Sequence, residues 1–468
     1  MSKAQTFDTL KLSPDLLEVV KELGYETMTP IQAESIPVLL AGKDLVGQSK
    51  TGSGKTAAFS IPFLEKIDLQ GQKIQALIVC PTRELCTQVA REIRKIGRYR
   101  KGLQVLIISG GQPMGPQLGA LERGVHVVVG TPGRVLDHIK RKTMDLRQVN
   151  TVVLDEADRM LDMGFREDIE MILKGTPATR QTVLFSATFP KTIEGLSRAF
   201  LKHPVMVKIE NEPSQMPLIR QVCYEIEPDQ KLPAVKVILH QRKPESVLIF
   251  CNLKTRVDEL VQELKAAGAS VDRLHGDLDQ SDRDRVMAKF RNRSTQILVA
   301  TDVAARGLDV AGMDLVINFD LPAQADNYVH RIGRTGRAGQ KGLAIAFLTP
   351  KESYKIQMIE QATGVKMERL KISLPSENST KAPIELEGNA AMETLFIGGG
   401  RKEKLRAGDI LGALTGEAGG LPGTSIGKIE IQDHFSYVAV SRNHSHVAVD
   451  RLRNGRIKGR KFRVELVR

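Results

Sequence analysis

Leu45-Val46-Gly47-Gln48-Ser49-Lys50-Thr51-Gly52-Ser53-Gly54-Lys55-Thr56 is the stretch from which the rest of the chain can be read. Leu45-Val46-Gly47 reads as a short strand and Ala57 to Phe63 as a helix, with a glycine-rich turn between them. A turn of the form S-K-T-G-S-G-K-T in that setting is a phosphate-binding loop. Gly52 and Gly54 let backbone N–H groups close around phosphate oxygens, and the following helix adds the positive end of its dipole. Lys55 can reach the β- and γ-phosphates, and Thr56 can ligate Mg²⁺. The first position, usually Gly, is Ser49; the more discriminating G-S-G-K-T core is intact.

Outward from the loop, short apolar runs alternate with amphipathic stretches. Ala76 to Cys80, Val105 to Ile108, Val125 to Val129, Thr151 to Leu154 and Thr182 to Phe185 are apolar on both faces, the pattern of strands buried in a parallel sheet. Helices are expected over Arg83 to Arg98 and Phe165 to Leu173. Glu210 to Pro217 reads as a linker, after which the alternation resumes at Ser246 to Cys251, Ser270 to Leu274, Gln296 to Ala300, Leu315 to Phe319 and Leu343 to Leu348. A second polar stretch, Ser373 to Asn389, precedes a unit of different pattern. There, strands at Thr394 to Ile397, Ile426 to Ile431, Phe435 to Val440 and Lys461 to Val467, with helices at Ala407 to Leu414 and Ser445 to Leu452, give the order βαββαβ. The expected fold class is α/β: two tandem parallel-sheet domains, 1–209 and 218–372, then a small α+β domain, 390–468.

The bulk numbers agree with that division. The 468 residues are 41% apolar, enough for several cores. No apolar run has the ~20 residues of a membrane helix and Met1 to Leu17 has no secretory signature, so a cytoplasmic protein is expected. Cys80, Cys86, Cys223 and Cys251 form no C-x-x-C pair, which argues against a zinc site or disulfide framework. The formal net charge of +13 argues for a polyanionic partner.

Asp155-Glu156-Ala157-Asp158 follows the strand ending at Leu154, and carboxylates at that edge of a parallel sheet lie where ligands bind. Asp155 suits holding Mg²⁺, and Glu156 suits the base that orients an attacking water. The second α/β domain has no phosphate loop but carries His330-Arg331-Ile332-Gly333-Arg334-Thr335-Gly336-Arg337. Arginines at a spacing of three, broken by glycines, suit a clamp on the γ-phosphate held by the first domain. ATP would then bridge a cleft that opens on hydrolysis.

With these residues assembled, the chain resembles a DEAD-box RNA helicase, most closely the DbpA subgroup, from about Phe7 to the C-terminus. The resemblance implies two RecA-like domains. It implies that Phe7 stacks on adenine and Gln32, in Thr29-Pro30-Ile31-Gln32, bonds the base edge, which favours ATP. Asp309, in Arg306-Gly307-Leu308-Asp309, matches a ribose-contacting position, and Arg334 and Arg337 match arginine fingers. Ser186-Ala187-Thr188 matches the segment that couples hydrolysis to unwinding, and His330 a residue linking to the Asp158 side on closure. The RNA-facing segments are Pro81-Thr82-Arg83-Glu84-Leu85, Gly110-Gly111, Thr131-Pro132-Gly133-Arg134, Gln280 with Arg283, and Thr301-Asp302. Their arginines pair with phosphates, contacts that carry little sequence information.

The third unit resembles an RNA-recognition-motif domain. Alternation puts Phe396, Phe435 and Tyr437 on one sheet face, where aromatic rings can stack bases. Asp433-His434 and Val440 depart from the usual signature there. A second candidate surface is charge: the last nineteen residues hold eight basic side chains, among them Arg456, Lys458, Arg460 and Lys461, against two acidic ones, and Arg401, Lys402, Lys404 and Arg406 form another basic loop. The subgroup resemblance implies a hairpin of 23S ribosomal RNA as partner, action on large-subunit (50S) assembly intermediates, and a monomer. An ATP-switched RNA clamp without turnover is disfavoured by the intact Glu156, Arg334 and Arg337, and a DNA helicase by the RNA-type third domain.

Overall fold

A computed structural model describes residues 5–49, 52–209, 219–305, 312–336, 342–374, 384–386, 388, 390–416 and 420–467. These fall into two compact units, one ending at residue 209 and the other beginning at residue 219. The first unit holds a seven-stranded parallel sheet. Its strands lie in the order Val105–Ile108, Val127–Gly130, Ala76–Val79, Thr151–Leu154, Gln181–Ser186, Leu45–Gln48 and Val205–Lys208. Successive residues of each inner strand feed two separate cores. Ile78 and Val153 pack with Phe59 and Ile93 on one face, while Leu77 and Val152 pack with Ile169 and Leu173 on the other. Being covered on both faces by helices is why these strands read as unbroken apolar runs.

The second unit contains two sheets. One repeats the seven-stranded parallel arrangement, in the order Val271–Leu274, Ile297–Ala300, Val247–Phe250, Leu315–Asn318, Gly342–Leu348, Ile219–Glu225 and Glu368–Leu370. The other is antiparallel, in the order Ile426–Ile431, Ser436–Ser441, Met392–Ile397 and Val464–Leu466, with helices Ala407–Thr415 and Ser445–Asn454 on one face. The expected α/β architecture with a small α+β unit is therefore present. Three strands were not read from the sequence: Val205–Lys208, Ile219–Glu225 and Glu368–Leu370. The first and last are sheet edges with alternating or absent burial, and the middle one follows directly on the proline-bearing segment taken as a linker.

Part of the second connector is no free tether. Ile384 packs on the parallel-sheet core of the second unit, Leu386 is buried in it, and the Leu386 N–H donates to Ala267 O at 2.7 Å. Most of Ser373 to Asn389, like all of Glu210 to Pro217, lies outside the described residues.

Beyond the connector, the open face of the antiparallel sheet meets the end of helix Gln280–Arg291. Arg291 donates from Nε and Nη2 to both oxygens of Glu430, each at 2.9 Å. Thr394 Oγ1 accepts from Asn292 Nδ2 at 3.2 Å and contacts Ser294 Oγ at 2.6 Å. Glu430, Thr394 and Asn292 are all buried. A bidentate, hydrogen-bonded seam of this kind fixes orientation more than it adds energy. Glu430→Ala should raise amide exchange over residues 286–295 and 392–397 by about tenfold, the worth of one charge-assisted hydrogen bond. Acid should act in the same direction. Burial pushes the Glu430 carboxyl up, but Arg291 and Lys428 more than offset it, so it titrates below its ordinary value. A carboxyl depressed on folding stabilises at neutral pH and loses that contribution as pH falls through its folded value. The protection factor at the seam, which corrects for the intrinsic pH dependence of exchange, should therefore hold steady down to about pH 5 and fall progressively as pH drops through the ordinary carboxylate value and then the depressed folded one.

Candidate functional site

Every strand of the first sheet ends at one edge, and the sequence-expected residues gather there. Gln48 leads into the phosphate loop, Leu154 into Asp155-Glu156, Ser186 into Ala187-Thr188, Val79 towards Arg83, Ile108 towards Gly110-Gly111, and Gly130 into Thr131. This is the edge at which open α/β sheets take their ligands.

The loop is tied in place from both sides. Ser49 N–H donates to Ser186 O at 3.0 Å, and its Oγ contacts Ser53 Oγ at 2.9 Å. Lys55 is buried at the first position of helix Lys55–Lys66 and donates to Ser49 O at 3.1 Å. Gly54 has φ +93°, and a Cβ there would stand 2.5 Å from Gln32 Nε2, so glycine is required by both backbone and space. Gln32 donates to Gly54 O at 3.2 Å and accepts from the Thr29 N–H at 2.9 Å, while Thr29 Oγ1 donates to Ser53 O at 2.8 Å. Thus Thr29-Pro30-Ile31-Gln32 braces the loop, a role the sequence did not suggest. Its amide retains one donor and one acceptor site for a base. Phe7 is buried and faces Tyr25 across 6.1 Å.

The carboxylates occupy distinct surroundings. Asp155 is buried; burial raises its carboxyl to about 6, and Lys55 pulls the other way without cancelling it. A carboxylate so placed fits a divalent cation, which would supply the missing positive charge, and half-buried Thr56 stands at the start of the adjoining helix. Glu156 sits at φ +53° and ψ +50°, a left-handed conformation uncommon for a residue with a Cβ. Its Oε2 lies 3.0 Å from Arg159 Nη1, both side chains buried. Asp158 Oδ2 accepts from Ala187 N at 3.1 Å, Thr188 N at 2.9 Å and Thr188 Oγ1 at 3.0 Å. Ser186 Oγ donates to Thr188 O at 2.6 Å. Asp158, Ser186, Ala187 and Thr188, four of the five residues expected to couple hydrolysis to movement, are therefore one hydrogen-bonded group.

The segments of the first unit expected to face RNA also meet. A Cβ on Gly111 would fall 2.0 Å from Arg83 Nη1, so the Arg83 guanidinium lies directly over the glycine pair. Arg134 Nη1 donates to Gln112 O at 3.2 Å and Gln117 Oε1 at 3.4 Å, on the helix that follows those glycines.

Within the second unit, the arginine series separates into different roles. Arg331 is 1% exposed. It pairs bidentately with Asp302 at 2.6 and 2.7 Å, and bonds Asn318 Oδ1, Asp320 O and Asn252 Oδ1. Its plane stands over the Phe250 ring at 5.0 Å. It is a structural post, not a third member of a phosphate clamp, and it engages Asp302, which was expected to face RNA. Arg334 follows it in a buried position, with its N–H on Arg331 O at 3.2 Å and its carbonyl accepting from Met313 N at 3.0 Å. His330 is half-buried on helix Ala325–Ile332, Arg283 Nη2 donates to Ala304 O at 3.3 Å, and Thr301 N–H donates to Leu274 O at 3.2 Å. Lys50, Thr51, Asp309 and Arg337 lie outside the described residues.

With the geometry in hand, comparison identifies the chain. Residues 29–196 match the DEAD/DEAH box helicase family, 230–339 the helicase conserved C-terminal domain and 394–466 the DbpA RNA binding domain. Over 463 residues, 99% of each chain, it is 45% identical to the ATP-dependent RNA helicase DbpA of Escherichia coli (strain K12). The chain belongs to the DEAD-box ATP-dependent RNA helicases of the DbpA type. It is also 49% identical over 366 residues to the DEAD-box ATP-dependent RNA helicase CshA of Bacillus licheniformis, covering 78% of this chain and 75% of that one. Among solved structures, S. cerevisiae Dbp5 bound to RNA and ADP BeF3 superposes with a TM-score of 0.72 at 32% identity, covering 79% of this chain and 96% of that one. In this helicase, no described helix is long and apolar enough to cross a membrane.

Two surfaces of this helicase's third domain were expected to meet RNA, and they differ in access. Phe396, Phe435 and Tyr437 form one aromatic cluster, with centroids 5.3–6.0 Å apart. Tyr437 is 6% exposed, and Arg285, Arg291 and Asp284 of helix Gln280–Arg291 lie near its hydroxyl, so its face is not open as expected. The basic loops are exposed. Lys458 and Gly459 both have positive φ between the bridged residues Ile457 and Arg460, the signature of a tight type I′ turn. Lys458 Nζ donates to Lys404 O at 3.0 Å, which joins the two basic loops into one surface. Replacing Arg331 by Leu should lower the stability of the second parallel-sheet domain by about 3–5 kcal/mol, because Asp302 loses its buried partner. An unchanged thermal unfolding profile would contradict the structural role.

Proposed function

We propose that this helicase unwinds short ribosomal RNA duplexes during assembly of the large (50S) ribosomal subunit, as a monomer in the cytoplasm. The third domain tethers it to a hairpin of 23S ribosomal RNA through its basic loops. The observation that carries this reading is the pairing of a partly covered aromatic cluster with an open basic surface: Tyr437 is buried and Phe396 and Phe435 are half-buried, whereas Arg456, Lys458, Arg460 and Lys461 are exposed beside Lys404. Exposed Lys and Arg on strained, hydrogen-bonded turns suit a folded phosphate backbone better than splayed bases. Phe396, half-buried at the rim of the cluster, is left to meet a base beside that surface.

In the ATP site, Lys55 exchanges its Ser49 carbonyl contact for the β/γ-phosphates, and the backbone from Ser49 to Thr56 wraps the phosphate oxygens. Thr56 and Asp155 would hold Mg²⁺, which supplies charge that offsets the phosphates. Phe7 and Gln32 take the adenine, and Asp309 the ribose. Glu156, held by Arg159, accepts a hydrogen bond from the attacking water and turns it towards the γ-phosphate. Arg334 and Arg337 come from the second domain to the charge that develops there. Asp158 and Ser186-Ala187-Thr188 pass the change at the phosphate to the domain contact, where His330 meets the Asp158 side. Arg83, Gly110-Gly111, Thr131, Arg134, Arg283 and Thr301 hold the sugar-phosphate backbone of one strand. Closure bends that strand and ejects its complement.

Glu156→Gln should lower RNA-stimulated ATP turnover by about 100-fold or more while ATP binding persists, because only the proton acceptor is lost. Turnover near the wild-type rate would refute the assignment. The tether is better tested by charge reversal than by deletion, since removal of the domain would expose the Arg291 seam. A variant with Lys458→Glu, Arg460→Glu and Lys461→Glu should lose its preference for 23S ribosomal RNA over generic duplex. The slope of log affinity against log salt should fall by roughly 2. A preference that survived would overturn the basic-loop reading.

A further inference from the structure

Gln117 and His138 belong to none of the segments assigned so far, yet both are buried polar side chains behind the RNA-facing loops. Gln117 lies on helix Met114–Arg123, and its Nε2 donates to Ser109 O at 3.4 Å, the carbonyl directly before Gly110-Gly111. Its Oε1 accepts from Arg134 Nη1 at 3.4 Å and contacts His138 Nε2 at 3.0 Å. His138 stands one turn beyond Arg134 on helix Pro132–Lys140, and its Nδ1 contacts Thr143 Oγ1 at 2.8 Å. Arg134 Nη1 also reaches Gln112 O at 3.2 Å and Met114 Sδ at 4.0 Å.

The donor and acceptor roles follow from this arrangement. Arg134 can only donate, so the amide oxygen of Gln117 must face it. That same oxygen then requires a donor at His138 Nε2, while Nδ1 lies against the Thr143 hydroxyl, which also donates to His138 O at 3.2 Å. The Gln117 contact therefore places a proton on Nε2. Burial first, and then the Arg134 guanidinium, hold His138 below its ordinary value, which favours the neutral ring at neutral pH. A chain Thr143–His138–Gln117 thus ends on two RNA-facing elements at once, the Ser109 carbonyl and the Arg134 guanidinium.

We infer that Gln117, with His138 behind it, is a positioning residue that fixes the Arg134 guanidinium relative to the Gly110-Gly111 turn, so that both meet consecutive phosphates of one RNA strand. This rests on the reading of Arg134 as a phosphate contact. A long arginine without such a support loses rotamer freedom on binding, and that cost appears in RNA affinity and not in chemistry.

The test is the RNA dependence of ATP hydrolysis by the full chain, using a single-stranded RNA oligonucleotide of fixed length. Gln117→Leu and His138→Leu should each raise the RNA concentration for half-maximal stimulation by about 3- to 10-fold, with the rate at saturating RNA within about 2-fold of wild type. His138→Gln keeps a donor near the Nε2 position and should restore the wild-type half-saturation. It also keeps the test open if Gln117→Leu does not fold. Combining Gln117→Leu with Arg134→Ala should add nothing beyond Arg134→Ala alone. If Arg134→Ala weakens RNA while Gln117→Leu, folded as judged by its thermal unfolding, does not, the positioning role is overturned. An Arg134→Ala variant with wild-type half-saturation would instead overturn the reading beneath it, and this inference with it.

Discussion

One carboxylate oxygen of Asp158 accepts from two backbone N–H groups and a hydroxyl of Ala187-Thr188. That contact joins the segment after strand Thr151–Leu154, which carries Asp155 and Glu156, to the end of strand Gln181–Ser186. The neighbouring strand Leu45–Gln48 is joined in turn through Ser49 N–H to Ser186 O. Three strand ends are therefore tied together by hydrogen bonds. A parallel sheet makes this possible because all its strands finish at one edge with backbone donors unspent. In the proposed ATP site, a phosphate that drew Lys55 from Ser49 O would act directly on that network.

Much of the fold was legible because buried parallel strands leave a plain signal. Thr151–Leu154 and Leu315–Asn318 are covered on both faces and read as continuous apolar runs. The strands that escaped were those whose pairing is tertiary. Val205–Lys208 exposes Met206 and follows Pro204, so nothing local distinguishes it from a loop. The site was legible for the same kind of reason: glycines with positive φ at Gly52 and Gly54, and carboxylates after a buried strand, are local facts. What could not be read is partnership. Arg331 and Arg334 look alike in His330 to Arg337, yet Arg331 serves the interior through Asp302, Asn318 and Asn252. Gln117 and the buried state of Tyr437 depend on contacts across distant segments, which spacing alone does not reveal.

The electrostatics divide along the same lines. Buried charges here are paired or poised: Arg331 with Asp302, Arg291 with Glu430, Glu156 with Arg159. Asp155 differs, because Lys55 does not cancel its burial. An unbalanced buried carboxylate at a ligand edge is costly, and such cost is retained where chemistry uses it. The surplus positive charge, by contrast, lies at the surface, as at Lys458 and Arg460. There it is screened by salt and acts on a polyanion over a range of about 8–10 Å.

The proposed ATP site is divided between domains: phosphate loop and carboxylates on the first, Arg334 and Arg337 on the second. A divided site is slow until something holds its halves together, and RNA spanning both domains is what would do so. The most direct test is steady-state ATP hydrolysis at saturating ATP, measured with and without RNA on the same preparation. The expected result is a rate about 10-fold or more higher with RNA, a fraction of the 10³–10⁵ an arginine finger can contribute. Equal rates with and without RNA would contradict the account.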